Sequence, residues 1–483
     1  MRHTPTYVAL IGALVLGTGC QSAAPERVDV RDVLPQLASS PTAAAPIPAD
    51  WWKQFGDQKL DGLIEEALAN SPSLVAAGAR VRVAAASLAA SGGASDPQVT
   101  AGLNLARRRQ VFIGLPIPGS DVSSSTSSAH GISLNASWEL DLWGRLEAAQ
   151  RGAALGVTKS LVDEQAARLA LTTGVARSYF ALIEARLALE IAKELESNAD
   201  FALAAVERLD AMGRGSQESV LAARVALQDA SNGVTEAAHS VAILQPGLAA
   251  LVGRPGGKIQ FGAPRFGPLQ AAPAAGLPAT LLQRRPDLAT LELDVQIAFA
   301  QAEVSHAALY PQISLSASAG TNASDLEDLL NGDFRVWSLG ANLLAPILNG
   351  GQLEASKDAA VAARDAALYQ FATAALDALA EVQVATANED LIANRLGEVQ
   401  LLGQKLTDLE EAAARHHRQG TGAVAVVYSI RADQLRNNRA ELALQTLLRR
   451  ARIDLIASLG GGFDASPTTS PDSSQEAPRE NSL

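Results

Sequence analysis

Between Ile132 and Leu142 the chain alternates strictly: Ile132, Leu134, Ala136, Trp138, Leu140 and Leu142 fall on one side, and Ser133, Asn135, Ser137, Glu139 and Asp141 on the other. A period of two marks a strand with one apolar and one polar face. Three other segments follow the rule. Val99, Ala101, Leu103 and Leu105 oppose Gln98, Thr100 and Asn104; Ile313, Leu315, Ala317 and Ala319 oppose Ser314, Ser316 and Ser318; Trp337, Leu339, Ala341 and Leu343 oppose Ser338, Gly340 and Asn342. Strands are therefore predicted at about 97–106, 131–143, 311–320 and 336–346. Helices flank them. Ser71-Pro72 supplies a helix cap followed by proline at the first helical position, and Pro286-Asp287 puts an acid in the same first turn. Both helices must end before Pro97 and Pro311.

The segments repeat. Pro72 and Pro97 recur as Pro286 and Pro311, an offset of 214 residues. Gly144, Gly213, Gly215 and Gly253 recur as Gly351, Gly420, Gly422 and Gly460, an offset of 207. The seven-residue change is assigned to the Ser-rich stretch Gly119 to Gly131, read as a loop free to vary in length. Each half runs helix, strand, loop, strand, long helix, glycine turn, helix, which predicts two internal structural repeats, 51–265 and 275–463.

Four strands of about ten residues with one apolar face suit a membrane β-barrel, or equally a half-solvated soluble sheet. Four strands cannot close, and open edges are not tolerated in lipid, so a barrel must be shared between chains. Two chains give eight strands and three give twelve; the pattern leaves both open. Gly144 to Gly213 and Gly351 to Gly420 each span 69 residues, about 100 Å if helical. Alanine dominates these stretches where a solid coiled coil would show Leu or Ile heptads, so a hollow helical wall is expected.

Composition narrows the compartment. The net charge of −12 and the scattered basic residues exclude a nucleic-acid partner. The one cysteine, Cys20, follows a positive start at Arg2, an apolar run from Tyr7 to Leu16 and the small residues Gly17-Thr18-Gly19. Residues 1–19 thus read as a signal peptide whose lipobox-like end makes Cys20 the lipidation site, although the usual leucine is shifted to Leu16. Residues 20–50 read as a lipid-anchored tether, and 464–483 as a disordered tail. After cleavage no stretch of 18 uncharged apolar residues remains to make a transmembrane helix. The sequence contains no Walker loop, no His-Glu-x-x-His, no Gly-x-Ser-x-Gly and no Cys/His cluster, so neither an enzyme, a metal site nor a cofactor is expected.

Trp51-Trp52-Lys53-Gln54-Phe55-Gly56-Asp57, Glu139-Leu140-Asp141-Leu142-Trp143-Gly144-Arg145, Leu281 to Leu288 and Leu459-Gly460-Gly461-Gly462-Phe463 together resemble the outer membrane factor family of TolC- and OprM-like efflux ducts. The lipoprotein branch serving resistance-nodulation-division pumps is the nearest resemblance. It implies a mainly α fold with a membrane β part: four strands per chain in a shared 12-stranded trimeric β-barrel, continued by a long periplasmic α-helical barrel. It implies a homotrimer in the outer membrane, contacting outer-membrane lipid, a periplasmic adaptor protein and an inner-membrane transporter. Passive conduction of drugs, toxic compounds or metal ions is the expected function; the exit duct of a type I protein secretion system is the alternative. Gly213, Gly215, Gly420 and Gly422 fall at the tunnel tip, where the family docks its adaptor. Family members often carry Asp at the aperture positions that here are Ser219, Val426 and Ser429, so weaker cation selectivity is expected, with Asp210 and Asp433 as the remaining tip acids. His416 and His417 beside the turn are read as a solvated helix face.

Overall fold

The computed structural model describes residues 47–113, 122–254, 256, 259, 266–273 and 284–463. The signal peptide, Cys20, most of the tether and the tail lie outside these residues. Among them, ten elements fall into two matched sets. The first half holds α2 (Pro72–Gly93), β1 (Gln98–Ile113), β2 (Val122–Leu140), α3 (Arg145–Ala211) and α4 (Gln217–Leu251), preceded by α1 (Gln58–Asn70). The second holds α5 (Pro286–Ala307), β3 (Gln312–Thr321), β4 (Arg335–Leu344), α6 (Gln352–Arg418) and α7 (Val424–Ser458). The repeat is exact in its helices: α2 and α5 have 22 residues each, α3 and α6 have 67, and α4 and α7 have 35. A 67-residue helix is about 100 Å long.

The strands form one antiparallel sheet in the order β1-β2-β3-β4. Its registers obey the same two offsets. Leu103 pairs with Ile132 in the first hairpin, and adding 214 and 207 gives Ala317 and Leu339, which pair in the second. The first hairpin is the longer, with strands of 16 and 19 residues against 10 and 10. This corrects the sequence reading: β2 begins at Val122, inside the Ser-rich stretch taken as loop, and ends at Leu140. Serine is a poor strand former, but Arg107 to Gln110 already extend β1, and Ser125 to Ser128 complete the ladder against them.

The chain divides into two compact units. One, Val83–Val157 with Leu293–Tyr369, contains the sheet. The other contains the described residues of Leu34–Arg82, Thr158–Glu292 and Gln370–Leu483. The core of this second unit is built on the Trp-Trp-Lys-Gln-Phe-Gly-Asp run. Trp51–Phe55 form a 3-10 helix that buries Trp51, Trp52 and Phe55, and Phe55 meets Phe180 of α3 with ring centroids 5.0 Å apart. Gly56 closes the turn at φ 61, and Asp57 caps α1 by accepting from Lys59 and Leu60. Its other oxygen accepts from the Tyr179 hydroxyl at 2.6 Å. Burial, and then that hydrogen bond to a carboxylate, push the Tyr179 phenol well above its usual range. Elsewhere small residues share in the packing, as with buried Ala181 and Ala185 on α3 and Ala372, Ala375 and Ala378 on α6.

Within this unit α7 lies against both long helices. Arg431 reaches Glu194 of α3 and Glu410 of α6, each at 3.5 Å; Asn198 donates to the Tyr428 carbonyl and Gln434 to Thr407. On α4, Gln245 accepts from Arg186 of α3. Pro246 lies inside α4 without ending it. Among the described residues one helix, α2, is long and apolar enough to cross a membrane by composition, yet carries Arg80 and Arg82 and is only 11% buried over its apolar window.

Candidate functional site: an exposed apolar sheet face and two glycine turns

Directly opposed residues in a ladder share a face, so the pairings decide whether the four alternating patterns add up. They do. Ala101, Leu134, Ala319 and Trp337 lie in one row, and Leu103, Ile132 and Leu105 belong to the same face. Thr100, Asn135, Ser318 and Ser338 form a row on the other. The apolar face is not buried: Leu103 is 62% exposed, Leu134 55%, Leu339 77% and Trp337 80%. Such a face is unfavourable in water, at roughly 25 cal/mol per Å², and favourable in hydrocarbon. Past Leu105 the face changes character at Arg107 and Arg109, so the first hairpin extends as a polar, cationic ribbon beyond the apolar band. That extension was hidden in the sequence by its serines.

The join between β2 and α3 accounts for the Glu-Leu-Asp-Leu-Trp-Gly-Arg run. Both Glu139 carboxylate oxygens accept from Arg145 Nη2, at 2.7 and 2.8 Å, and Asp141 accepts from the Glu147 N–H at 2.8 Å, satisfying a free donor in the first turn of α3. Trp143 stacks on Tyr310 at 4.8 Å and donates to the Pro311 carbonyl at 2.6 Å. The β2-to-α3 join of repeat one is therefore held by the α5-to-β3 join of repeat two.

At the far ends of α3 and α6 the two Gly-x-Gly turns are alike. Gly213 has φ 69 and Gly420 φ 74. The Gly213 N–H bonds to Asp210 O and Arg214 N–H to Leu209 O; Gly420 and Thr421 repeat this with His417 O and His416 O. This is the paired-bond helix stop that positive φ at glycine permits. The second glycines have a different reason. A Cβ at Gly215 would lie 2.7 Å from the Asp210 backbone nitrogen, and one at Gly422 3.2 Å from His416 Cβ. The chain folds back against its own helix end, which is sufficient cause for Gly-x-Gly without a partner. Gly213→Ala is expected to cost about 1 kcal/mol in left-handed strain, whereas Gly215→Ala meets the Asp210 backbone and must displace it. Amide hydrogen exchange at Gly213 and Arg214 should rise more in the second variant; equal effects would contradict this account.

Of the residues expected from the sequence at an aperture, Val426 is 50% exposed, and Ser429, also exposed, donates to its carbonyl at 2.9 Å. Ser219 is committed locally: its N–H and hydroxyl meet the Ser216 side chain, the cap of α4. Asp210 accepts from Gln217 at 2.7 Å and Asp433 pairs with Arg436 at 2.8 Å. His416 and His417 are exposed, one beside the Thr421 hydroxyl and the other beside the Gly422 carbonyl. Among the described residues no group of three or more His, Cys, Asp or Glu is placed to hold a metal ion. Sequence reasoning missed Arg431, whose carboxylate partners Glu194 and Glu410 lie on two other helices.

Comparison with known proteins matches this geometry. The family model described as outer membrane efflux protein fits residues 63–254 and again 277–461, once per repeat. The pyoverdine export outer membrane protein OpmQ of Pseudomonas aeruginosa is 33% identical over 475 residues, covering 95% of this chain and 97% of its own. The multidrug resistance outer membrane protein MdtP of Escherichia coli K12 is 27% identical, covering 95% and 96%. Among solved structures, the outer membrane channel CmeC of Campylobacter jejuni superposes with a TM-score of 0.79 at 22% identity, over 92% of this chain and 94% of that one.

Proposed function

Since this chain belongs to the outer membrane efflux protein family and is an outer-membrane channel component of an efflux pump, we propose that it works as a homotrimer conducting passively between partners. Three copies supply twelve strands and close the barrel that one sheet leaves open. The single observation that carries this is the continuous, solvent-facing apolar surface on a sheet whose edge strands β1 and β4 each have one side without a partner strand among the described residues. The polar face of Thr100, Asn135, Ser318 and Ser338 then lines a wet lumen.

The glycine turns are the periplasmic end. Gly213, Gly215 and Gly420 are exposed there, and a periplasmic adaptor docks on them, delivering cargo from an inner-membrane resistance-nodulation-division transporter. Acyl chains on Cys20 add a second hold on the outer membrane. OpmQ is described by pyoverdine export and MdtP by multidrug resistance; for this chain the cargo is a small organic molecule of a class chosen by the transporter.

Purified protein in planar bilayers should give discrete conductance steps; protein that inserts and stays silent would contradict the reading. At the aperture, copies of Val426 and Ser429 form an uncharged ring. Val426→Asp should therefore raise cation preference, with local cation enrichment on the order of tenfold, read as a shift in reversal potential under a salt gradient. No shift would remove Val426 from the conduction path.

A further inference from the structure

The two ends of the sheet treat charge differently. Where β2 runs into α3, Arg145 is already paired with Glu139. At the opposite end Arg107 and Arg109 stand exposed on β1, and among the described residues neither is in an ion pair. The polar contact there is to a hydroxyl, Arg109 Nη2 donating to Ser124 Oγ at 3.3 Å. We infer that Arg107 and Arg109, with the hydroxyls facing them across the hairpin, bind the phosphate groups of a phosphorylated saccharolipid in the outer leaflet of the membrane. The site rests on the membrane barrel proposed above and adds a lipid chemistry to it.

The register fixes which way these side chains lie. Arg107 opposes Ser128, Arg109 opposes Thr126 and Val111 opposes Ser124. Counting by twos from Leu103 and Leu105 puts all six on the apolar face of the sheet, whereas Arg108, opposite Ser127, falls on the polar one. The diagonal bond from Arg109 to Ser124 agrees with a shared face. Height fits as well. From Leu140 to His130, the level at which Leu105 ends the apolar face, β2 runs ten residues. That is about 33 Å along the strand, or about 25 Å along the membrane normal at a tilt of roughly 40°, the height of a barrel's apolar band. Arg107 and Arg109 then stand about 5 and 10 Å beyond the edge of the hydrocarbon, at the depth of the headgroups.

The chemistry selects phosphate. A guanidinium offers parallel N–H donors that match two oxygens of one phosphate group, and two of them on one face, about 7 Å apart, can hold two such groups or grip one from both sides. The exposed hydroxyls of Ser124 and Thr126 supply further donors for phosphate or sugar oxygens. The acids of this rim lie elsewhere. Asp325, Glu327, Asp328 and Asp333 belong to the connection between β3 and β4, where Arg335 lies over Gly332. One hairpin thus ends cationic and the other acidic, so an anionic headgroup is drawn to β1. A headgroup with two phosphate monoesters gains more from this pair than a phosphodiester with a single charge.

The test titrates the full-length protein in detergent with bisphosphorylated lipid A, with the same lipid stripped of its phosphates, with phosphatidylglycerol and with inorganic phosphate, reading bound lipid by native mass spectrometry. Lipid A should bind most tightly, and its dephosphorylated form about tenfold less well, having nothing for the guanidinium forks. Arg107→Gln with Arg109→Gln should weaken lipid A binding about 25-fold, from about fivefold per arginine at an anionic lipid. Arg108→Gln removes the same charge from the other face of the strand and should change it by about twofold at most. Arg107→Lys with Arg109→Lys should keep the preference for the phosphorylated lipid. Equal losses from Arg108→Gln and Arg109→Gln would reduce the effect to net charge and overturn the site, as would inorganic phosphate binding as tightly as lipid A. A protein that conducts in bilayers yet holds both forms of lipid A alike loses the site alone. One that forms no channel loses the membrane reading, and the site with it.

Discussion

Replacing Arg452 by alanine should destabilise the protein by about 3–5 kcal/mol, the cost of leaving a buried charge without its partner. Arg452 and Glu389 have side chains only 4% and 6% exposed. Arg452 Nε donates to Glu389 Oε1 at 2.9 Å, and Nη1 donates to the carbonyls of Gln270 and Ala271 at 2.8 and 3.2 Å. Glu389 Oε2 is buried with no hydrogen-bond partner, so the carboxylate depends on Arg452. One turn earlier Arg449 lies 4.1 Å above the Phe266 ring and donates to the Gly267 carbonyl. Burial pulls Arg449 down to about 10, and the aromatic face and carbonyls hold it where no carboxylate does. Two arginines at i and i+3 on α7 thus fasten the segment that joins the repeats. Glu389→Leu with Arg452→Met should recover part of the loss, since two like-shaped apolar groups replace the pair, but the two carbonyls still lose a donor at about 1–3 kcal/mol each. Denaturation of detergent-solubilised protein checks the series; an Arg452→Ala loss under about 0.5 kcal/mol, the level of an ordinary surface change, would refute the clamp.

Leu134→Arg should cost about 2–4 kcal/mol per chain, the penalty for arginine on the lipid face of a barrel. Asn135→Arg, one residue on, should cost little and instead shift conductance toward anions, because that side chain enters the lumen. Leu134 is 55% exposed in one copy, so solvent exposure alone would forgive both changes equally. The comparison therefore separates lipid from water as the medium around the sheet. Outer-membrane yield and thermal stability in detergent measure the first effect, and reversal potential the second. Equal tolerance of both variants would place the apolar face in water.

The alternation read from Val99 to Leu105 and from Ile132 to Leu140 is the alternation the registers display, because one exposed apolar face is a local property of each strand. The glycine offsets were legible for the same reason. Gly213 and Gly420 stand where a helix must stop, and their φ values of 69 and 74 require glycine. What escaped was non-local or ran against propensity. Ser125 to Ser128 form a strand because Arg107 to Gln110 wait opposite. Gly460 was legible from the repeat, but Gly461 and Gly462 only as a likeness; a Cβ at Gly460 would meet the Arg284 backbone and one at Gly461 the Leu169 side chain. The adaptor reading of Gly215 gained a local rival, since Asp210 alone excludes a side chain there.

All of this turns on whether separate copies complete one another in lipid. Native mass spectrometry of the protein extracted from outer membranes in mild detergent is the most direct measurement. A single species holding three chains is the predicted result, and a stable lone subunit, with its apolar sheet face still bare, would contradict it.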